Sequence, residues 1–158
     1  MEVKLLIENK INEAYLRMIF CANKTGPVKI TRAQDVGRYI VSLVRYAPVP
    51  QKQTIGTELI LPKYPPNKSH NRFCYLTIED QDKINDYINT DFRIWFKTSM
   101  VIGKDELKLT YSDTIEFIID KLKLKDEPGI YESLKKYDYR RRQKVKDFLL
   151  KSIQTLSI

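Results

Sequence analysis

Apolar residues change their spacing several times along this chain, and each change marks an element. Glu2 to Ile7 alternates well enough for a strand. A helix over 8–22 follows, because Ile11, Tyr15, Met18, Ile19 and Ala22 share one face at helical spacing. Gly26-Pro27 breaks the chain, and Val28-Lys29-Ile30 supplies a short strand. Thr31 with Gln34 three residues on forms a capping-box pattern, which predicts a second helix over 31–46. Val36, Ile40, Leu43, Val44 and Ala47 form its inner face, and Pro48 ends it.

Five of the seven prolines fall between Pro48 and Pro66, so continuous helix is excluded there. Thr57 to Leu61 is the one strand pattern in that stretch, and Lys63 to Arg72 reads as an exposed polar loop. Phe73 to Leu76 predicts another strand, and Thr77 caps a helix over 78–99 with Glu79 and Asp80 favourably placed in its first turn. Ile84, Ile88, Phe92 and Trp95 form its seam, and Gly103 ends that helical region. Ser112 and Asp113 cap a fourth helix over 112–124 bearing Ile115, Ile118, Ile119 and Leu122. Pro128 suits the first turn of a fifth, over 130–155. Ile130, Leu134 and Tyr137 mark its inner face, and Val145, Phe148, Leu149, Ile153 and Leu156 continue nearly in phase.

The pattern predicts an α+β fold: an N-terminal part of short strands and two helices, then an all-helical part containing a helix-turn-helix-like pair. The division expected is an α+β scaffold over 1–103 and a basic helical region over 104–158, packed as one compact unit.

Composition sharpens this in three respects. With 42% hydrophobic residues and 11% aromatics, the 158-residue chain can bury a true core. No apolar run reaches the roughly 18 residues of a membrane span, and the N-terminus lacks the pattern of a signal peptide, so a cytoplasmic protein with no membrane partner is expected. Cys21 and Cys74 sit among apolar neighbours and are expected as buried, reduced thiols.

Charge is the most pointed signal. Lys121 to Lys151 holds eleven Lys or Arg against five acids, a local +6 out of a total of +8. Clustered positive charge is the footprint of a surface that meets phosphates. The candidate contact residues are Lys135, Lys136, Tyr139, Arg140, Arg141, Arg142, Lys144 and Lys146. Arg forks two hydrogen bonds to a phosphate or guanine, and Tyr donates to a phosphate oxygen. Three consecutive arginines span too wide an arc of a helix for all to face the core, so at least two should project into solvent. The blander alternative is a solvated basic face.

Other clusters point less far. Lys63 to Arg72 interleaves basic and aromatic side chains as a single-strand binder does, yet a soluble Pro-rich loop has the same composition. His70 is the sole histidine, and neither CxxC nor HxxxH occurs, so no metal site is expected. The five glycines form neither GxGxxG nor GxxxxGK[ST], and no nucleophile arrangement is legible; no catalytic residue and no cofactor are assigned. Glu79, Asp80, Asp82, Asp86 and Asp91 lie along one helix, unlike a two-metal nuclease site built from several elements. Trp95, Phe92 and Phe96 read as core or an interface patch.

The expectation is a small intracellular, non-enzymatic DNA-binding protein that contacts duplex phosphates through its C-terminal basic helix. The alternative is a structural or assembly protein of a phage or mobile element, its basic helix docking on an acidic protein surface. The Lys-, Ile-, Asn- and Tyr-rich usage fits an AT-rich genome of that kind. The first half would then serve as scaffold or oligomerisation surface.

Overall fold

The structure, a computed structural model of the chain, describes residues 1–52, 55–63 and 73–156, without the side chains of residues 154–156. It is α+β, with five short strands in two small sheets followed by an all-helical C-terminal part. The order is β1 (Glu2–Leu5), α1 (Lys10–Ile19), β2 (Val28–Lys29), α2 (Asp35–Leu43), β3 (Arg45–Ala47), β4 (Thr57–Ile60), β5 (Phe73–Tyr75), α3 (Ile78–Asp105), α4 (Tyr111–Lys121) and α5 (Ile130–Leu156). Two compact units divide within α3, Met1–Trp95 and Phe96–Ile158.

In the first unit β4 lies between β1, antiparallel, and β2, parallel. The alternation in β1 has its expected result: Val3 and Leu5 are buried while Glu2 and Lys4 are exposed. Val3 and Val28 both register with Leu59, and all three are buried in one row across the sheet. Leu16, Ile40, Ile84, Ile88 and Phe92 complete the core. Asn9 caps α1 by accepting from the Ile11 and Asn12 amides. The buried face of α1 is Asn12, Tyr15 and Leu16, so of the expected stripe only Tyr15 is fully covered.

Three expectations in this unit need correction. The second helix begins at Asp35, not Thr31. A Cβ at Gly37 would collide with the Thr31 carbonyl, so the backbone before α2 must pass close against the helix instead of forming its first turn. Gln34 stands at the N-cap, but its side chain donates to the Ile19 carbonyl (3.1 Å) and not back to the helix. At the other end Val44 leaves helical geometry, and Arg45–Ala47 pairs with Phe73–Tyr75 as a strand. Pro48 disfavours helix in the residue before it, and a waiting strand satisfies the freed backbone groups. Finally, Cys74 is buried but Cys21 is exposed, and both are free. Cys21 takes φ 51° just after α1, its amide bonded to Met18 and the Ala22 amide to Arg17. These are the two bonds of a Schellman turn, whose left-handed residue points outward.

The helix after Thr77 is better capped than expected. The Asp80 amide donates to Thr77 Oγ1 (3.1 Å), and Asp80 Oδ2 accepts from the Thr77 amide (3.3 Å) and hydroxyl (2.6 Å). That helix does not stop at Ser99. It runs to Asp105, straight through Gly103. A Cβ on Gly103 would lie 2.6 Å from the Thr114 side chain, so this glycine permits close approach between α3 and α4 rather than ending the helix.

In the second unit Phe96, Met100, Ile115, Ile118, Ile119, Leu122, Leu124 and Leu134 are buried. Thr110, not Ser112 or Asp113, caps α4 by accepting from the Asp113 amide. At its C-terminus the Lys123 amide bonds Asp120 and the Leu124 amide bonds Ile119, a second Schellman turn, with Lys123 at φ 56° in the left-handed position. Pro128 stands ahead of α5 and outside its first turn, while Gly129 at φ 73° redirects the chain into it.

Candidate functional site

α5 has 27 residues and its partner α4 has 11, so α5 extends well past the helix it packs on. Its inner line is fixed by Leu134, fully buried, and by Tyr137, whose ring meets Phe96 edge-on with centroids 5.4 Å apart. Successive residues turn about 100° around a helix. From Leu134, Lys136, Arg140 and Lys144 (spaced i, i+4, i+8) therefore lie about 80–160° round one side. Lys135, Tyr139 and Lys146 lie about 100–140° round the other, with Gln143 opposite the core. All of these residues are exposed, Tyr139 by 67%. Between Lys135 and Lys146 the outward half of the helix carries no acid, because Asp138, the single acid there, turns inward. Among the described residues Lys135, Lys136, Arg140, Lys144 and Lys146 take part in no ion pair.

Arg141 and Arg142 behave differently. Both reach the buried Asp138: Arg141 donates to Oδ1 at 2.9 Å, and Arg142 approaches Oδ2 at 2.7 Å, off the line of a well-formed hydrogen bond. The Arg141 side chain is 29% exposed and that of Arg142 58%. Arg142 also lies over the Tyr111 ring, 5.0 Å from its centroid. Tyr111 starts α4, and its phenol is pushed up to about 12, first by burial and then by the Asp138 charge and hydrogen bond. The arginine run is thus split by role. Arg140 faces solvent, while Arg141 and Arg142 pair with Asp138 within α5, and Arg142 and Asp138 meet Tyr111 of α4. A single acid placed three and four residues before two arginines is the sequence signal for such pairing.

Beside the basic face lies a hollow of about 380 Å³ lined by Tyr111, Glu132, Lys135, Lys136, Asp138, Tyr139 and Arg142. It is mostly apolar where the lysine stems and tyrosine rings form its walls.

Three of the carboxylates singled out on α3 are taken up in packing and surface pairs, while Asp82 and Asp86 are exposed. Asp80 is buried and paired with Arg45 (2.7 and 3.2 Å), a contact that, with the Thr77 bonds, holds its carboxyl down to about 2. Glu79 pairs with Lys83 at 2.6 Å. Asp91 accepts from Tyr15 (2.7 Å), whose phenol is driven above its ordinary value by burial and then by that bond. Phe92 and Phe96 are core residues and Trp95 is half-buried, tilted against Tyr15 at 5.5 Å. The second basic and aromatic cluster, with Tyr64, His70 and Arg72, lies outside the described residues apart from its exposed first member, Lys63. Among the described residues no three His, Cys, Asp or Glu gather as metal ligands, and no helix is long and apolar enough to cross a membrane.

The molecule defined by these features is an α+β protein whose long basic helix carries a buried, paired carboxylate in its first third. No protein-family model, no curated protein and no solved structure matches the chain.

Proposed function

We propose that the chain is a small intracellular DNA-binding protein that lays the outer face of α5 along duplex phosphates. The observation that supports this reading is the acid-free outward half of α5 between Lys135 and Lys146. It presents Lys135, Lys136, Arg140, Lys144 and Lys146 around Tyr139 and Gln143 over roughly 17 Å of helix. A duplex carries one negative charge per about 1.7 Å of axis, so five cations on that length meet several phosphates at once. α4 and α5 then have the division of labour of a helix pair on DNA. α4 is anchored by Thr114, Ile115, Ile118 and Ile119, and α5 presents polar side chains. The joint over 122–129 is longer than the three- or four-residue turn of a helix-turn-helix. Backbone contact therefore fits this helix better than reading of base edges, and Tyr139 supplies a phosphate hydrogen bond or a stacking ring.

The test is a Lys136→Ala, Arg140→Ala, Lys144→Ala variant, which removes one row of the face and touches none of the Asp138 pairs. On duplex DNA its slope of log affinity against log salt should fall by about 2.7, at roughly 0.9 per lost phosphate contact. Its helical signal should stay unchanged. An unaltered affinity and slope would overturn the reading.

A further inference from the structure

The inner line of α5 does not end where its cover ends. Val145 stands three turns beyond buried Leu134 and within about 20° of the same direction, and Phe148 and Leu149 flank that line at i+3 and i+4. Yet Val145 is 51% exposed, Phe148 69% and Leu149 53%. α5 packs on α4 and Leu134 is fully buried, whereas the Arg142–Tyr111 contact to the start of α4 lies before the exposed stripe. Neighbouring exposed apolar side chains in a row mark an interaction surface far more often than isolated ones do.

We infer that the stripe Val145–Phe148–Leu149 is the docking face for a second helix of acidic, amphipathic character, supplied by a partner protein. Charge selects the occupant. Lys144 and Lys146, on either side of Val145 in sequence, lie about 100° to its two sides around the axis, so the stripe is bordered by cations on both edges. The sole acid after Asp138 is Asp147, which points away from the stripe and accepts from Gln143 at 2.9 Å. A second copy of α5, in either direction, would bring lysine against lysine along both borders. A helix with leucines at heptad spacing and glutamates flanking them matches apolar to apolar and acid to base. The inference goes beyond DNA binding, which uses the opposite face of the helix.

The probe is a synthetic 21-residue helical peptide with heptad leucines and flanking glutamates, titrated into the full chain by calorimetry. A twin peptide carries lysine in place of every glutamate. The glutamate peptide should bind at micromolar concentration, and the lysine peptide at least tenfold more weakly. A Val145→Ser, Phe148→Ser, Leu149→Ser variant should lose that binding while keeping its helical signal and its salt slope on duplex DNA. Leu149→Glu, a single exposed change, should weaken the glutamate peptide at least fivefold. No binding of the glutamate peptide, or equal binding by the triple variant, overturns the inference. So does sedimentation showing wild-type self-association that the triple variant abolishes, which assigns the stripe to a second copy. Binding to phosphatidylserine vesicles in place of the peptide overturns it in favour of lipid.

Discussion

Removing the carboxylate of Asp138 isolates the role of the arginine run. Asp138 is 1% exposed and holds Arg141 at 2.9 Å and Arg142 at 2.7 Å. Deleting one partner of a fully buried pair costs about 3–5 kcal/mol, whereas exposed pairs contribute about 0–1 kcal/mol. Here the acid is buried but its partners are 29% and 58% exposed, so the contacts are partly screened. Asp138→Ala should therefore destabilise by about 2–3 kcal/mol. With a urea slope of about 1.5 kcal/mol/M, the midpoint falls by about 1–2 M. The assay is urea unfolding followed by far-ultraviolet circular dichroism, which reads the loss of α5 helix directly. Arg141→Ala should cost about 1–2 kcal/mol and show a coupling of about 1 kcal/mol with Asp138→Ala in a double-mutant cycle. Arg140→Ala should stay within about 0.5 kcal/mol. An unchanged midpoint for Asp138→Ala, or an Arg140→Ala cost equal to that of Arg141→Ala, would refute the division of the run into one solvent-facing residue and two that pair with Asp138.

Further outcomes follow from the rest of the molecule. Lys123→Gly should raise stability by about 1 kcal/mol, since glycine relieves the left-handed strain of the turn after α4 without losing an ion pair; thermal melts check it. Gly103→Ala should lower stability by about 1–3 kcal/mol in the same assay, because its methyl group would meet Thr114 at 2.6 Å. The Asp80 carboxyl sits at about 2 when folded and near 4 when unfolded, so its stabilising contribution is complete above about pH 4 and is lost as pH falls towards 2. Asp80→Asn should flatten that part of the stability–pH curve. Under native conditions a disulfide reagent should label Cys21 rapidly and Cys74 only on unfolding, because burial protects the Cys74 thiol and raises its pKa; simultaneous labelling would contradict the burial of Cys74.

Local order was legible in the residue pattern alone. Period-2 alternation in Glu2–Leu5 and helical spacing in Ile84, Ile88 and Phe92 identified elements and their buried faces, since burial of one face is what those periods record. The concentration of charge in the C-terminal helix was equally legible, and so was Thr77 as a cap. Tertiary structure decided where elements stop and what their polar groups do. Residues 45–47 read as the end of a helix, and only the presence of Phe73–Tyr75 as a strand partner draws them out of it. Gly103 read as a terminator, and only the closeness of Thr114 shows that it is an interhelical contact. The arginine run looked uniform, because spacing shows which residues share a face but not which acid is buried beneath it. The same limit applies to Val145, Phe148 and Leu149. Their periodicity records a face that requires burial, and the fold leaves it exposed beyond Arg142, which meets Tyr111 at the start of α4.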